Sequence, residues 1–124
     1  MRIRRTLEKR MRQLEASGRG RFYEVVGREQ VLCSVELEAD TLDIFVDGFS
    51  FVSEGEVRKV LFDDVLAIKS HLNVSFFFGG RESFDFFLPI DIECESFNFS
   101  LSVPFLSYSN ILNILTGLRD DWCK

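Results

Sequence analysis

The sequence predicts an α+β fold that is mostly β: a bent antiparallel sheet or partly open barrel of about seven short strands, with a helix at each end. Three observations predict it. Apolar residues recur at helical spacing at the start of the chain, the period falls to two between Phe22 and Val103, and helical spacing returns after Pro104. At 124 residues, with 46% hydrophobic and 28% charged residues, the chain has the balance of one ordinary globular domain.

Residues 1–18 are expected to form a basic amphipathic helix. Ile3, Leu7, Met11 and Leu14 share one side, and arginines surround the rest. The stretch Ser17-Gly18-Arg19-Gly20 should end it, with 19–21 as a short linker to a single domain over 22–124. Within that domain Val31, Cys33, Val35 and Leu37 alternate with Leu32, Ser34, Glu36 and Glu38, and Leu42, Ile44 and Val46 with Thr41, Asp43 and Asp47. Ala39-Asp40 and Asp47-Gly48 are the expected hairpin turns, and Ser53–Glu56 interrupts the alternation before VRKVLF resumes it. In FDDVLAIKSH, Asp63-Asp64 predicts a helical turn leading into a strand.

Residues 75–87, SFFFGGRESFDFF, place six phenylalanines around Gly79-Gly80. Read as a hairpin, this puts Phe76, Phe78, Phe84, Phe86 and Leu88 in the core and turns Phe77 and Phe87 to the other face. A buried ring contributes roughly 2–3 kcal/mol of transfer free energy, so burial of most of them is the expectation. In SFNFSLSV, Phe97, Phe99, Leu101 and Val103 should point inward. Residues 105–122 should form the closing helix, with Ile111, Leu115, Leu118 and Trp122 in one row and Gly117 either stopping or weakening it.

The stretch TLDIFVDGFSFVSEGEVRKVLFDDVLAIKSH, residues 41–71, resembles the pleckstrin-homology-like superfold, particularly its bacterial and GRAM-type members. In both, a strand precedes a glycine-aromatic turn, a short strand follows, and a basic-hydrophobic strand runs into an acidic Asp-Val step. As an order of elements the resemblance extends from residue 31 to about 122. It implies a scaffold that binds lipids, peptides or proteins and is seldom an enzyme. Lipid-binding members carry Lys and Arg in the first hairpin loop, whereas the corresponding LEADTLD is acidic and unsuited to phosphate.

Charge narrows the partners. Residues 1–21 hold eight Arg and Lys against two Glu, and residues 22–124 hold seven against eighteen acids, giving +6 and then −11. Such a body repels nucleic acid and anionic membrane and favours a basic partner or the chain's own amino-terminal segment. The helix residues Arg2, Arg4, Arg5, Lys9, Arg10 and Arg12 have three readings: docking on the acidic body, pairing with another copy, or binding nucleic acid or anionic membrane.

Asp91, Glu93 and Glu95 alternate along DIECE, so on a strand they line one face with side chains about 7 Å apart. That face reads as solvated or as a contact for a basic protein. A hard cation is a lesser reading, since no glycine-bearing calcium loop accompanies it. Phe45, Phe77 and Phe87 are the rings whose exposure would mark a contact site. His71 is the one histidine and no GxSxG, Walker or GxGxxG motif occurs, so no catalytic site, cofactor or small-molecule substrate is expected. Cys33, Cys94 and Cys123 form no CxxC pair and should be reduced thiols. With no secretory h-region or apolar membrane span, the expected location is the cytoplasm. The reading that emerges is a non-catalytic protein-binding module, in its sharper form an inhibitor or immunity-type protein that neutralises a basic toxin or enzyme. The alternative is an adaptor recruited by its Arg-rich helix.

Overall fold

The computed structural model describes residues 3–23, 30–38, 40–53, 55–70 and 86–123. Helix α1, Arg5–Ala16, leads into β1, Gly20–Phe22. Strands β2 (Cys33–Glu36), β3 (Thr41–Ile44), β4 (Gly48–Ser53) and β5 (Glu56–Leu61) then form a meander. A 3-10 turn, Phe62–Asp64, precedes β6 (Val65–Ser70), and β7 (Phe87–Cys94), β8 (Asn98–Pro104) and helix α2 (Phe105–Trp122) complete the order.

The strands form two antiparallel sheets, β1-β2-β3-β4-β5 and β6-β7-β8. The architecture is therefore α+β and mostly β, as the sequence predicts. Two details differ. There are eight strands among the described residues, because residues 20 and 21, read as linker, pair with Val35 and Ser34 in β1. In place of one bent sheet there are two, and among the described residues no backbone ladder joins them. The 3-10 turn diverts the chain after β5, so that β6 starts a new ladder.

Period-two patterning explains the strands. In β7 Leu88, Ile90, Ile92 and Cys94 are buried while Phe87, Pro89, Asp91 and Glu93 alternate outward. Asp47-Gly48 closes the β3–β4 turn, where Phe45 N–H donates to Gly48 C=O at 2.8 Å. The sheets meet through rings: Phe99 of β8 stacks on Phe51 of β4 at 4.9 Å and tilts against Phe49 at 6.2 Å. Phe97, expected inside, is exposed, because β8 begins at Asn98 and leaves Phe97 in the turn, stacked on Phe99 at 5.4 Å. Of the phenylalanine-rich hairpin, residues 75–85 lie outside the described residues, as does His71; Phe86 stacks on Phe105 at 4.7 Å, Leu88 is buried and Phe87 faces out.

α2 spans the expected 105–122 without interruption at Gly117. Its Ile111, Ile114, Leu115 and Leu118 enter the core, and Tyr108 Oη donates to Pro89 C=O at 2.8 Å. α1 contributes Leu7, Met11 and Leu14 to that same core, so the helix is an integral part of the body rather than a projecting arm. It lies against α2 and β1. Gly117 sits at the helix crossing, where a Cβ would come within 2.6 Å of Leu7 Cδ2.

Candidate functional site

The outer face of the three-stranded sheet gathers part of the residues singled out from sequence. β7 supplies Phe87, Pro89, Asp91 and Glu93 in a row, flanked by Ser100 and Ser102 of β8 and Lys69 of β6. Asp91 stands between Lys69 and Ser100 in register, and Ser100 Oγ donates to its carboxylate. Lys69 Nζ pairs with Glu93 Oε1 at 2.6 Å. That hydrogen bond, and then the attraction of the Glu93 charge, raises the Lys69 pKa and keeps the amine protonated. Ser102 Oγ donates to Glu38 Oε2 at 2.6 Å, which brings a carboxylate from the β2–β3 turn to the margin of this face. The face thus carries Glu38, Asp91 and Glu93 against Lys69.

Glu95 does not continue the row. β7 ends at Cys94, whose N–H donates to Phe97 C=O at 2.9 Å to close the turn, and Glu95 within that turn donates its own N–H to Asp64 C=O at 3.1 Å. Phe87 heads the row and is 43% exposed. Beside it a groove of about 340 Å³ is lined, besides Phe87 itself, by Phe86, Pro104, Leu106, Leu37, Arg19 and Glu36. Phe45 belongs elsewhere: it lies in the β3–β4 turn, half-buried, with Lys59 Nζ 4.6 Å from its ring centroid and paired with Asp47 at 3.6 Å. Phe77 and Arg2 lie outside the described residues.

The described basic helix residues divide into three groups. Arg4 binds α2, through Nε to Asp121 at 2.7 Å and Nη2 to Gly117 C=O at 3.3 Å, and Arg10 reaches Asn110 at 3.1 Å. Arg12 pairs with Glu8 one turn away at 2.9 Å and lies 4.8 Å over the Phe22 ring. Arg5 and Lys9 are exposed and make no hydrogen bond or ion pair among the described residues.

Three features escaped the sequence reading. Arg119 of α2 donates to the carbonyls of Val65 and Leu66 at 3.2 and 2.8 Å, where a bulge between Val65 and Ala67 shifts the β6–β7 register. Glu38 joins the acidic face across 64 residues of chain, a contact no local pattern announces. Val57, Leu61 and Leu66 are exposed, although EVRKVL carries the signal: charges at 56, 58 and 59 interrupt both faces of β5.

Among the described residues, no group of three or more His, Cys, Asp or Glu could hold a metal ion, and no helix is long and apolar enough to cross a membrane. Cys33, Cys94 and Cys123 are free. The chain matches no protein-family model, no curated protein and no solved structure.

Proposed function

We propose that this chain is a non-catalytic protein-binding module whose contact surface is the outer face of β6–β8. A single observation carries the reading: Phe87, 43% exposed, heads the row that holds Asp91 and Glu93 and borders a groove of apolar residues with Arg19 and Glu36 in its lining. A large ring at the edge of a carboxylate-bearing face suits a partner that presents an apolar anchor and basic side chains. Opposite charge raises the rate of such an encounter. The sharper form of the proposal is an inhibitor or immunity-type protein that masks a basic toxin or enzyme in the cytoplasm, where free thiols would persist. Support for a pleckstrin-homology-like scaffold comes from the order of elements, since the four-strand meander β2–β5, the three strands β6–β8 and α2 follow one another as the resemblance implies.

The test is capture of a basic protein from the native source on immobilised chain, followed by its identification and titration against Phe87→Ala and Asp91→Ala/Glu93→Ala. The expectation is loss of affinity with either variant and weaker association at high salt. A partner that binds both variants as tightly as the parent overturns this surface.

A second reading, an adaptor recruited to nucleic acid or anionic membrane, rests on Arg5 and Lys9, whose charges face solvent on α1. It requires that Arg5→Ala/Lys9→Ala abolish salt-sensitive retention on an anionic matrix. Deleting the helix is a poorer test, because Leu7, Met11 and Leu14 belong to the core.

A further inference from the structure

β5 ends the five-stranded sheet, bonded to β4 on one side, and no backbone group among the described residues reaches its other edge. Its Glu56, Val57, Arg58 and Lys59 are all exposed, Val57 at 74%, more than any other large apolar side chain among the described residues. The direction of its backbone groups follows from the ladder. Phe62 N–H donates to Asp47 C=O at 2.8 Å, one step beyond the Gly48–Leu61 pair. Bonded and non-bonded pairs alternate in an antiparallel ladder, so Val60, Arg58 and Glu56 bond to β4, and Val57, Lys59 and Leu61 turn their N–H and C=O toward the open edge. An open edge with outward donors and acceptors is a template for another strand.

We infer that this edge pairs with β5 of a second copy of the chain, antiparallel, with Val57 on the two-fold axis. A second copy supplies the complementary charges, and among registers centred on Glu56 to Lys59, the four consecutive exposed residues of β5, the charge sequence selects one. A two-fold axis perpendicular to the sheet sets one residue against its own copy and pairs its neighbours reciprocally. Centred on Glu56, Arg58 or Lys59, it would place like charges directly opposite one another, which is destabilising. Centred on Val57, it sets valine against valine and faces Glu56 of each copy with Arg58 of the other. Neither Glu56 nor Arg58 makes an ion pair among the described residues, so both charges are available for that exchange. The Val57 pair is also one whose N–H and C=O face outward, so the two copies would exchange backbone hydrogen bonds at the axis and join their sheets into one.

The experiment is sedimentation equilibrium of the full chain over a concentration series. A monomer–dimer equilibrium is expected. Glu56→Arg and Arg58→Glu should each raise the dimer dissociation constant on the order of tenfold, because every cross-strand attraction becomes a repulsion. The double variant Glu56→Arg/Arg58→Glu should restore the parent value, since the exchanged charges still face their opposites. Val57→Pro should abolish association with an unchanged far-UV spectrum, because it removes an N–H that β4 does not use. A chain monomeric at the highest soluble concentration, single reversals that leave the dimer intact, or a double variant no better than the singles would each overturn the inference.

Discussion

At Gly48 a Cβ would lie 2.1 Å from the carbonyl oxygen of Val60, a backbone atom that cannot move aside without opening the β4–β5 ladder. Gly48→Ala is expected to cost about 3 kcal/mol by denaturant unfolding, at the upper end of overpacking effects. Gly117→Ala should cost less, for its nearest neighbour is the end of the Leu7 side chain, and alanine recovers roughly 1 kcal/mol of helix propensity. Cys33 is a second residue-scale test. Burial first, then the nearby Glu15 and Asp43 charges, pushes its thiol from an ordinary 9.0 up to about 12. Because the folded value is the higher one, this stabilisation is complete below pH 9 and is lost as pH rises from 9 toward 12. Cys33→Ala should therefore flatten the alkaline fall in stability, measured as the difference between the two proteins' denaturation midpoints across that range. In the native state a thiol reagent should label exposed Cys123 before buried Cys33.

At the scale of elements, the bulge in β6 and the last turns of α2 depend on each other. Leu66 is displaced from regular pairing, and the Arg119 guanidinium takes its carbonyl and that of Val65. Arg119→Ala should destabilise by about 1.5–3 kcal/mol, the range for hydrogen bonds to a charged donor, and should speed amide exchange in β6 more than in β3. Arg119→Lys should recover little, since one ammonium cannot reproduce the fork that spans two carbonyls. β7 and β8 were legible in the sequence through alternation, β6 through its strand-forming residues after Asp63-Asp64, and α2 through its 105–122 row. The bulge was not, because an extra residue on one strand leaves no trace in its own apolar pattern. Phe97 shows the same limit: its phase with Phe99 is right, and the turn closed by Cys94 and Phe97 decides that the ring stays outside.

At the scale of the whole molecule, α1 decides how the charge asymmetry is used. Sequence showed a basic amphipathic helix within a first 21 residues of net +6, before an acidic body, and left docking, self-association and polyanion binding open. In the fold its apolar side enters the common core, and Arg4 and Arg10 fasten it to α2. Exposed ion pairs such as Arg4–Asp121 contribute up to about 1 kcal/mol, so apolar burial holds the helix. Met11→Ala, at a fully buried position, should cost about 2–5 kcal/mol and lower the midpoints of far-UV dichroism and Trp122 fluorescence together. Helical signal lost ahead of Trp122 would identify α1 as a separately melting unit. Trp122 reports on the body because its Nε1 donates to Asp63 at 3.0 Å, next to the start of β6.

The candidate surface divides along the same line. Alternation in DIECE put Asp91 and Glu93 on one face, and the hairpin phase turned Phe87 outward, because side-chain direction along a strand is a local property with a fixed period; β7 joins the two readings in one row. Where a strand ends, which carboxylate from a distant turn joins it, and which arginines are spent on internal contacts are set by contacts between residues far apart in sequence. Amphipathic period therefore determined the kinds of most elements and the inward side of α1, β3, β7, β8 and α2. Only tertiary packing decided that the strands split into two sheets, that Glu95 leaves the row while Glu38 enters it, and that among the described residues β5 keeps one edge unpaired, because each of these follows from which elements bury one another's apolar sides.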